Sequence, residues 1–294
     1  MSRMRACMGR GTSAVRCPGN SAAYGAQPTL SNRPSEQALK LADISWRAGE
    51  ILLHHYANET IDARKKADQS PVTAADEDAE RFILDELKKI APEIPVIAEE
   101  EAAHGRWQKI AHRFFLVDPL DGTKEFLNRN GEFTVNIAEI EGGRPVRGIV
   151  YAPAKNRLFI GDGANGAFEV ETRPGEHPDF TKLKPIRARL CAPDGLIAVA
   201  SRSHRDSKTE EYLEAYPVKD FVTAGSSLKF CLVACGEADI YPRHGQTMEW
   251  DTAAGHAVLE AAGGSVKTLD GRPFVYGKTD ERFANPFFVA RGKT

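Results

Sequence analysis

Phe114-Phe115-Leu116-Val117-Asp118-Pro119-Leu120-Asp121-Gly122-Thr123 joins four consecutive apolar residues to two carboxylates three positions apart. The apolar run predicts a short buried strand that ends at Asp118. Pro119 restricts the backbone and Gly122 permits a tight turn, so both carboxylates are free to converge on one point. Hard divalent cations such as Mg²⁺ take oxygen ligands, commonly one or two carboxylates with water and substrate phosphate completing the shell. The Leu120 carbonyl, held in the same turn, is a further oxygen donor. Beyond it, the N–H groups of Gly122 and Thr123 form an anion site if a helix opens there. Asp-Pro or Asp-Gly alone reads as a surface turn, and it is the full hexapeptide after the apolar run that points to a site.

Three further acidic residues are candidates to complete a metal cluster. Glu99 follows the short strand Pro95–Ala98 and so sits at a strand end. Asp251 follows Trp250 and precedes a helix, where a helix N-cap is the competing role. Asp76 opens the helix after SPVTAA, a position the helix dipole favours for any acid. Combined with the hexapeptide, these carboxylates carry enough negative charge to call for two or three cations.

Around this motif the pattern alternates between helix and strand. Leu41, Ile44, Ala48, Ile51 and Leu52 recur at helical spacing to about Tyr56, and Ala79, Phe82, Ile83, Leu87 and Ile90 mark a second helix from about Ala74. Phe133, Val135 and Ile137 alternate up to Gly142-Gly143, and Arg147–Tyr151 returns, which predicts a hairpin. Short strands are expected at Arg157–Gly161 and Ala167–Glu171. The Pro- and charge-rich stretch Thr172–Pro185 marks the best internal boundary. Beyond it, strands at Leu196–Ala200, Asp220–Thr223 and Asp239–Pro242 alternate with helices near Lys208–Ala215, Ser226–Cys235 and Thr252–Ala262. The first half reads as α+β and the second as α/β. The expected division is a tail (1–33), an N-terminal metal-binding sub-domain (34–185) and a C-terminal substrate sub-domain (186–294), with the active site between the two sub-domains.

Bulk composition excludes several classes. The chain has 294 residues, 41% hydrophobic and 27% charged, with a net charge of −2. Its overall field gives no case for a nucleic-acid polymer. No run approaches the roughly 18 apolar residues of a membrane span. The five cysteines, Cys7, Cys17, Cys191, Cys231 and Cys235, are an odd count in a large chain, which points to a reducing cytoplasm. Cys231 and Cys235, one helical turn apart in an apolar stretch, read as core residues. Residues 1–33 hold five arginines and no acid; they read as a disordered or spurious extension, with a targeting presequence as the alternative.

The ordered set TAAD, EE, DPLDGT and WDTAAG resembles the paired signatures of the inositol monophosphatase superfamily, lithium-sensitive, magnesium-dependent phosphatases. The resemblance runs from about Gln37 to Arg291. SPVTAAD, DPLDGTKEF, GEFTVNIA, GIVYAP, SRSH, GSSLKFC and YPR resemble in particular its CysQ-type 3′(2′),5′-bisphosphate nucleotidases. Inositol monophosphatases usually carry Thr-Asn-Phe where this chain has Lys124-Glu125-Phe126.

The resemblance implies a layered αβαβα sugar-phosphatase fold. It also implies hydrolysis of 3′(2′)-phosphoadenosine 5′-phosphate to AMP and phosphate, in sulfur assimilation or nucleotide salvage. Two Mg²⁺ ions are then held by Glu99, Asp118, Asp121, Asp251 and the Leu120 carbonyl, with Asp76 near a third. Thr123 and Glu99 orient the attacking water, although the Thr123 hydroxyl has the alternative of closing its own turn. Gly122 and Thr123 receive the scissile phosphate. Asp251, Ser226, Ser227, Lys229 and Arg243, with Arg202, are the substrate contacts; helix capping is the alternative for the two serines, and an ordinary solvated charge for the cations. His204 reads as a surface residue. The competing functions are an inositol or sugar phosphatase and a catalytically silent protein on the same fold. Monomer and homodimer both stay open, as does peripheral contact with the inner membrane.

Overall fold

The computed structural model describes residues 33–58, 63–65, 71–190, 194–201 and 207–293. Residues 1–32 of the tail, with Cys7 and Cys17, and Cys191, Arg202 and His204 lie outside the described residues. Two amphipathic helices come first. Helix α1 (Glu36–Ala57) is capped by the Ser35 hydroxyl and buries Leu41, Ile44, Ala48 and Leu52. Helix α2 (Ala74–Ile90) starts with a capping box between Thr73 and Asp76. Between them lies a small hairpin of β1 (Ala63–Lys65) and β2 (Pro71–Thr73).

A seven-stranded sheet follows in chain order: β3 (Val96–Ala98), β4 (Arg113–Asp121), β5 (Thr134–Glu141), β6 (Arg144–Ala152), β7 (Arg157–Asp162), β8 (Ala167–Glu171) and β9 (Lys184–Ile186). Short helices α3 (Glu99–Ala103) and α4 (Thr123–Leu127) follow β3 and β4. Strands β3 and β4 are parallel and the remaining neighbours antiparallel. The hairpin expected at Gly142-Gly143 joins β5 to β6. The Pro-rich stretch expected to separate the halves carries β9, so this sheet extends to Ile186.

The second sheet has five strands in the order β11 (Val218–Ala224), β10 (Leu196–Ser201), β12 (Ile240–Arg243), β14 (Phe288–Arg291) and β13 (Ser265–Thr268). Helices α5 (Ser207–Glu214), α6 (Leu228–Ala234) and α7 (Glu249–Ala261) connect them. Helix α7 starts three residues before the expected Thr252, and α6 two after the expected Ser226.

The layers follow from which apolar face each element buries. Phe115, Val117, Ile137, Ile149 and Ile160 pack against α1 and α2. On the opposite face, Phe114, Leu116, Ile140 and Phe159 share a core with Phe230 and Cys231 of α6, Val258 of α7 and Phe288 of the second sheet. Leu213 of α5 joins Leu196, Ile240 and Val289 on the outer side of that sheet. The order is therefore helices, sheet, helices, sheet, helix: the expected αβαβα arrangement.

Helix α7 lies unusually close to the large sheet. Gly148 of β6 and Gly161 of β7 are register partners. A Cβ on Gly148 would stand 2.4 Å from the Ala254 carbonyl oxygen, and one on Gly161 2.6 Å from that of Ala257. Only hydrogen at both positions leaves room for the helix backbone. No helix among the described residues is long and apolar enough to cross a membrane.

Candidate active site

Strand β4 does not stop at Asp118; it continues through the motif to Asp121. Asp118 pairs with Asn136 and Asp121 with Thr134, so three steps along β4 match two along β5. This bulge resolves how two carboxylates three positions apart converge. Regular alternation would place them on opposite faces; one extra residue returns Asp121 to the face of Asp118. That face looks toward α6, α7 and the second sheet, while Leu120 is buried under α1 and α2. Gly122 follows with φ of +93°, the left-handed conformation the turn requires.

Parallel pairing places Glu99 beside this bulge. Ala98 pairs with Val117, so the residues after them, Glu99 and Asp118, leave the sheet at the same edge. Helix α3 has no side-chain cap of its own. The buried Glu80 carboxylate of α2 supplies one, accepting the N–H groups of Glu100 at 2.8 Å and Glu101 at 2.9 Å. Burial raises the Glu80 carboxyl to about 7, against the pull of those two N–H groups. Asp251 enters from the opposite wall as the third residue of α7. Its Oδ2 accepts the Met248 N–H at 2.8 Å, so it closes the first turn from inside the helix instead of acting as N-cap.

Glu99, Asp118, Leu120, Asp121, Gly122, Thr123, Ser226, Lys229, Arg243 and Asp251 line one cleft of about 360 Å³. Glu125, Tyr241, Gln246 and Thr247 also line it and were not anticipated. The structure thus gathers most of the residues expected at the site. Ser227 stands just behind, with its N–H 2.7 Å from Asp121 Oδ2. Asp76 does not line the cleft and touches it through Thr123, whose Oγ1 lies 3.3 Å from Asp76 Oδ1. The same hydroxyl is 3.3 Å from the Leu120 carbonyl, the turn-closing contact anticipated as its alternative role.

The electrostatics are those of crowded like charges. Burial pushes the Asp118 carboxyl far above its usual range, and Glu99, Asp121 and Asp251 push the same way. Asp251 is raised by burial, Asp121 and Glu99. Burial also raises Asp121, against the opposing pull of Lys229 and Ser226. Among the described residues no three acidic, histidine or cysteine side chains are already closed into a metal cage. Three of the carboxylates each turn one oxygen to a donor of the chain: Asp118 Oδ1 to the Leu120 N–H, Asp121 Oδ2 to Ser226 and Ser227, Asp251 Oδ2 to Met248.

An all-oxygen donor set with this surplus of buried negative charge fits a hard divalent cation, which would offset the burial, and the added repulsion, that raise these carboxyls. Two cationic side chains face the acids. Lys229, second residue of α6, is only 6% exposed, and burial lowers its ammonium to about 8 against the pull of Asp121. Arg243 ends β12, and its Nε is buried without a hydrogen-bond partner. Cys231 is buried and Cys235 half-buried, and both are free thiols, as expected of core residues.

Comparison with known proteins agrees with this architecture. The model of the inositol monophosphatase family matches residues 35–291. The 3′(2′),5′-bisphosphate nucleotidase CysQ of Shigella flexneri is 44% identical over 251 residues, covering 85% of this chain and 97% of its own length. The protein of the same name from Escherichia coli K12 is 43% identical with the same coverage. Among solved structures, CysQ from Bacteroides thetaiotaomicron superposes with a TM-score of 0.73 at 38% identity, covering 88% of this chain and 97% of that one. The Anabaena inositol monophosphatase, at 24% identity and a TM-score of 0.66, covers 88% of this chain and 91% of its own and shares the fold. With a layered core, a bulged strand carrying paired aspartates and a family match spanning nearly every described element, this chain belongs to the inositol monophosphatase family.

Proposed function

We propose that the protein is a Mg²⁺-dependent 3′(2′),5′-bisphosphate nucleotidase, which hydrolyses 3′(2′)-phosphoadenosine 5′-phosphate to AMP and phosphate. The observation that carries the reading is one cleft lined by four acidic side chains together with the buried Lys229 and the half-buried Arg243. A phosphate monoester that bears a second phosphate needs both: a negatively charged wall to gather cations, and donors for the phosphate that stays. The identity to proteins named as such nucleotidases supports the same substrate class.

Glu99, Asp118, Asp121, Asp251 and the Leu120 carbonyl would hold two Mg²⁺ ions, and Asp76 would border a third. Bound there, the ions supply charge neutralisation, a more acidic water and support for the departing oxygen. The remaining work falls to the protein's own groups. Thr123 has a single hydroxyl proton, and spending it on Asp76 or Leu120 leaves its lone pairs to accept from a water. With the Glu99 carboxylate as second acceptor, that water is held in one orientation. Helix α4 has five residues, too short to lend a dipole, so the individual N–H groups of Gly122 and Thr123 bind the reacting phosphoryl oxygens. Lys229 and the unpartnered Nε of Arg243 take the second phosphate, with Ser226 at the rim. Residues 34–185 and 186–294 are the two sub-domains of this reading. The first brings most of the acids and the N–H groups of Gly122 and Thr123, the second Asp251 and the contacts for the second phosphate. The cytoplasm is the compartment that suits a soluble nucleotide substrate.

Phosphate release from 3′-phosphoadenosine 5′-phosphate, inositol 1-phosphate and fructose 1,6-bisphosphate, each with and without Mg²⁺, tests the proposal. The highest kcat/KM is expected on the nucleotide, and only with the metal. A preference for either sugar phosphate, or no release from any, overturns it.

A further inference from the structure

Behind Asp121 lies a polar cluster of which the sequence reading named only the two serines, Ser226 and Ser227. Thr134 and Asn136 stand on β5 facing the bulge, and each is at most 1% exposed. Ser226 and Ser227 precede α6, and Ser226 holds a φ of +56°, a conformation non-glycine residues seldom adopt. Ser226 Oγ lies 2.6 Å from Asp121 Oδ2, the Ser227 N–H 2.7 Å and Asn136 Nδ2 3.4 Å. All three donors address the same oxygen. Ser227 Oγ lies 2.6 Å from Asn136 Oδ1, and Thr134 Oγ1 touches both serine hydroxyls and Asn136 Oδ1.

Counting protons fixes the direction of this chain. The Ser226 hydroxyl gives its proton to the carboxylate, the strongest acceptor, and Ser227 gives its own to Asn136 Oδ1. Asn136 is thereby oriented with its amide nitrogen toward Asp121. Each serine oxygen then has only lone pairs left for Thr134, so the single Thr134 proton goes to a serine or to Asn136. Oδ2 of Asp121 is saturated by three donors, while no hydrogen bond among the described residues engages Oδ1.

We propose that Thr134 and Asn136 are positioning residues: their hydrogen-bond chain through Ser226 and Ser227 pins Oδ2 of Asp121 and dedicates Oδ1 to a divalent cation. This rests on Asp121 being a metal ligand. Because the donors come from β5 and from the turn before α6, the same chain fixes the α6 side of the cleft against the bulge. Groups that orient a ligand from behind typically govern metal affinity by about 10–100-fold.

The test measures Mg²⁺ binding by calorimetry on wild type, Thr134→Val, Thr134→Ser and Asp121→Asn, with no substrate present. Thr134→Val keeps the shape and loses the proton; it is expected to weaken Mg²⁺ binding about tenfold, and Thr134→Ser to restore it. At saturating Mg²⁺ the kcat of Thr134→Val should recover toward wild type, a split that mere loss of folding stability would not give. Ser226→Gly provides a second probe, because glycine accepts the backbone conformation and removes only the hydroxyl; it should weaken binding in the same direction. Wild-type Mg²⁺ affinity in both Thr134→Val and Ser226→Gly, with Asp121→Asn impaired, overturns the positioning role. Wild-type affinity in Asp121→Asn overturns the ligand assignment beneath it.

Discussion

Gly148→Ala is a single methyl placed where a helix backbone already sits. The new Cβ would lie 2.4 Å from the Ala254 carbonyl oxygen, 2.7 Å from the Ala257 Cβ and 2.9 Å from the Ala254 Cα. To regain van der Waals separation, α7 must recede by roughly 1 Å. Strand β6 cannot yield instead, since it is paired on both sides, by β5 and β7. Overpacking of this kind costs about 1–3 kcal/mol of stability. The larger effect is on catalysis. Asp251 lies one turn from Ala254 on the same rigid helix, and a displacement of about 1 Å at a catalytic group can cost about 100-fold in rate. The variant should therefore fold with a lowered urea midpoint and lose far more activity than stability. Urea unfolding in the presence of a chelator, and kcat on 3′-phosphoadenosine 5′-phosphate at saturating Mg²⁺, measure the two effects separately. An unchanged midpoint together with wild-type kcat would refute the claim that these glycines set the depth of α7.

Asp121→Asn should abolish turnover with little loss of fold, since the amide oxygen still accepts from Ser226 and Ser227; near-normal kcat would count against the metal assignment. Exhaustive chelation should stop turnover, Mg²⁺ should restore it and Li⁺ inhibit it, and full activity without divalent metal would contradict the mechanism. A pH effect on stability is expected from His256, whose imidazole is lowered from 6.5 chiefly by burial, with Nε2 3.2 Å from Glu260 Oε1. Its contribution is complete above about 6.5 and is lost as pH falls through the lower folded-state value, because the unfolded chain takes up the proton first. Urea midpoints measured from pH 7.5 to 5 should fall, and more shallowly in His256→Gln; parallel slopes would exclude this histidine as the cause.

Much of the fold was legible because local patterns and tertiary demands agree. The stripes of α1 and α2 and the glycine pair between β5 and β6 each report a local rule that packing does not override. Glu99, Asp118 and Asp121 were legible because acidic residues have few uses at strand ends. The bulge was not: Pro119 reads as a stop, and only the register against Asn136 and Thr134 shows that the strand runs on. Strand β5 looked half-buried from its apolar residues, whereas both faces are covered. The polar Thr134 and Asn136 within that buried strand were the available signal for the cluster behind Asp121. Glu80 was hidden in a helical stripe, because its partners, the N–H groups of α3, belong to backbone and leave no mark in composition. The start of α7 was missed because Glu249 binds the distant N–H groups of Gly277 and Lys278, an attachment no local pattern announces.

The placement of Asp251 on α7, opposite acids that come from β3 and β4, also sets an order in time. A chain emerging from the ribosome presents Glu99, Asp118 and Asp121 well before the helix that completes their pocket. Until α7 seats itself against the two glycines, the early acids have no opposite wall and the cleft stays open on that side. The far wall of the cleft is therefore made only after the whole first sheet and three of the five strands of the second.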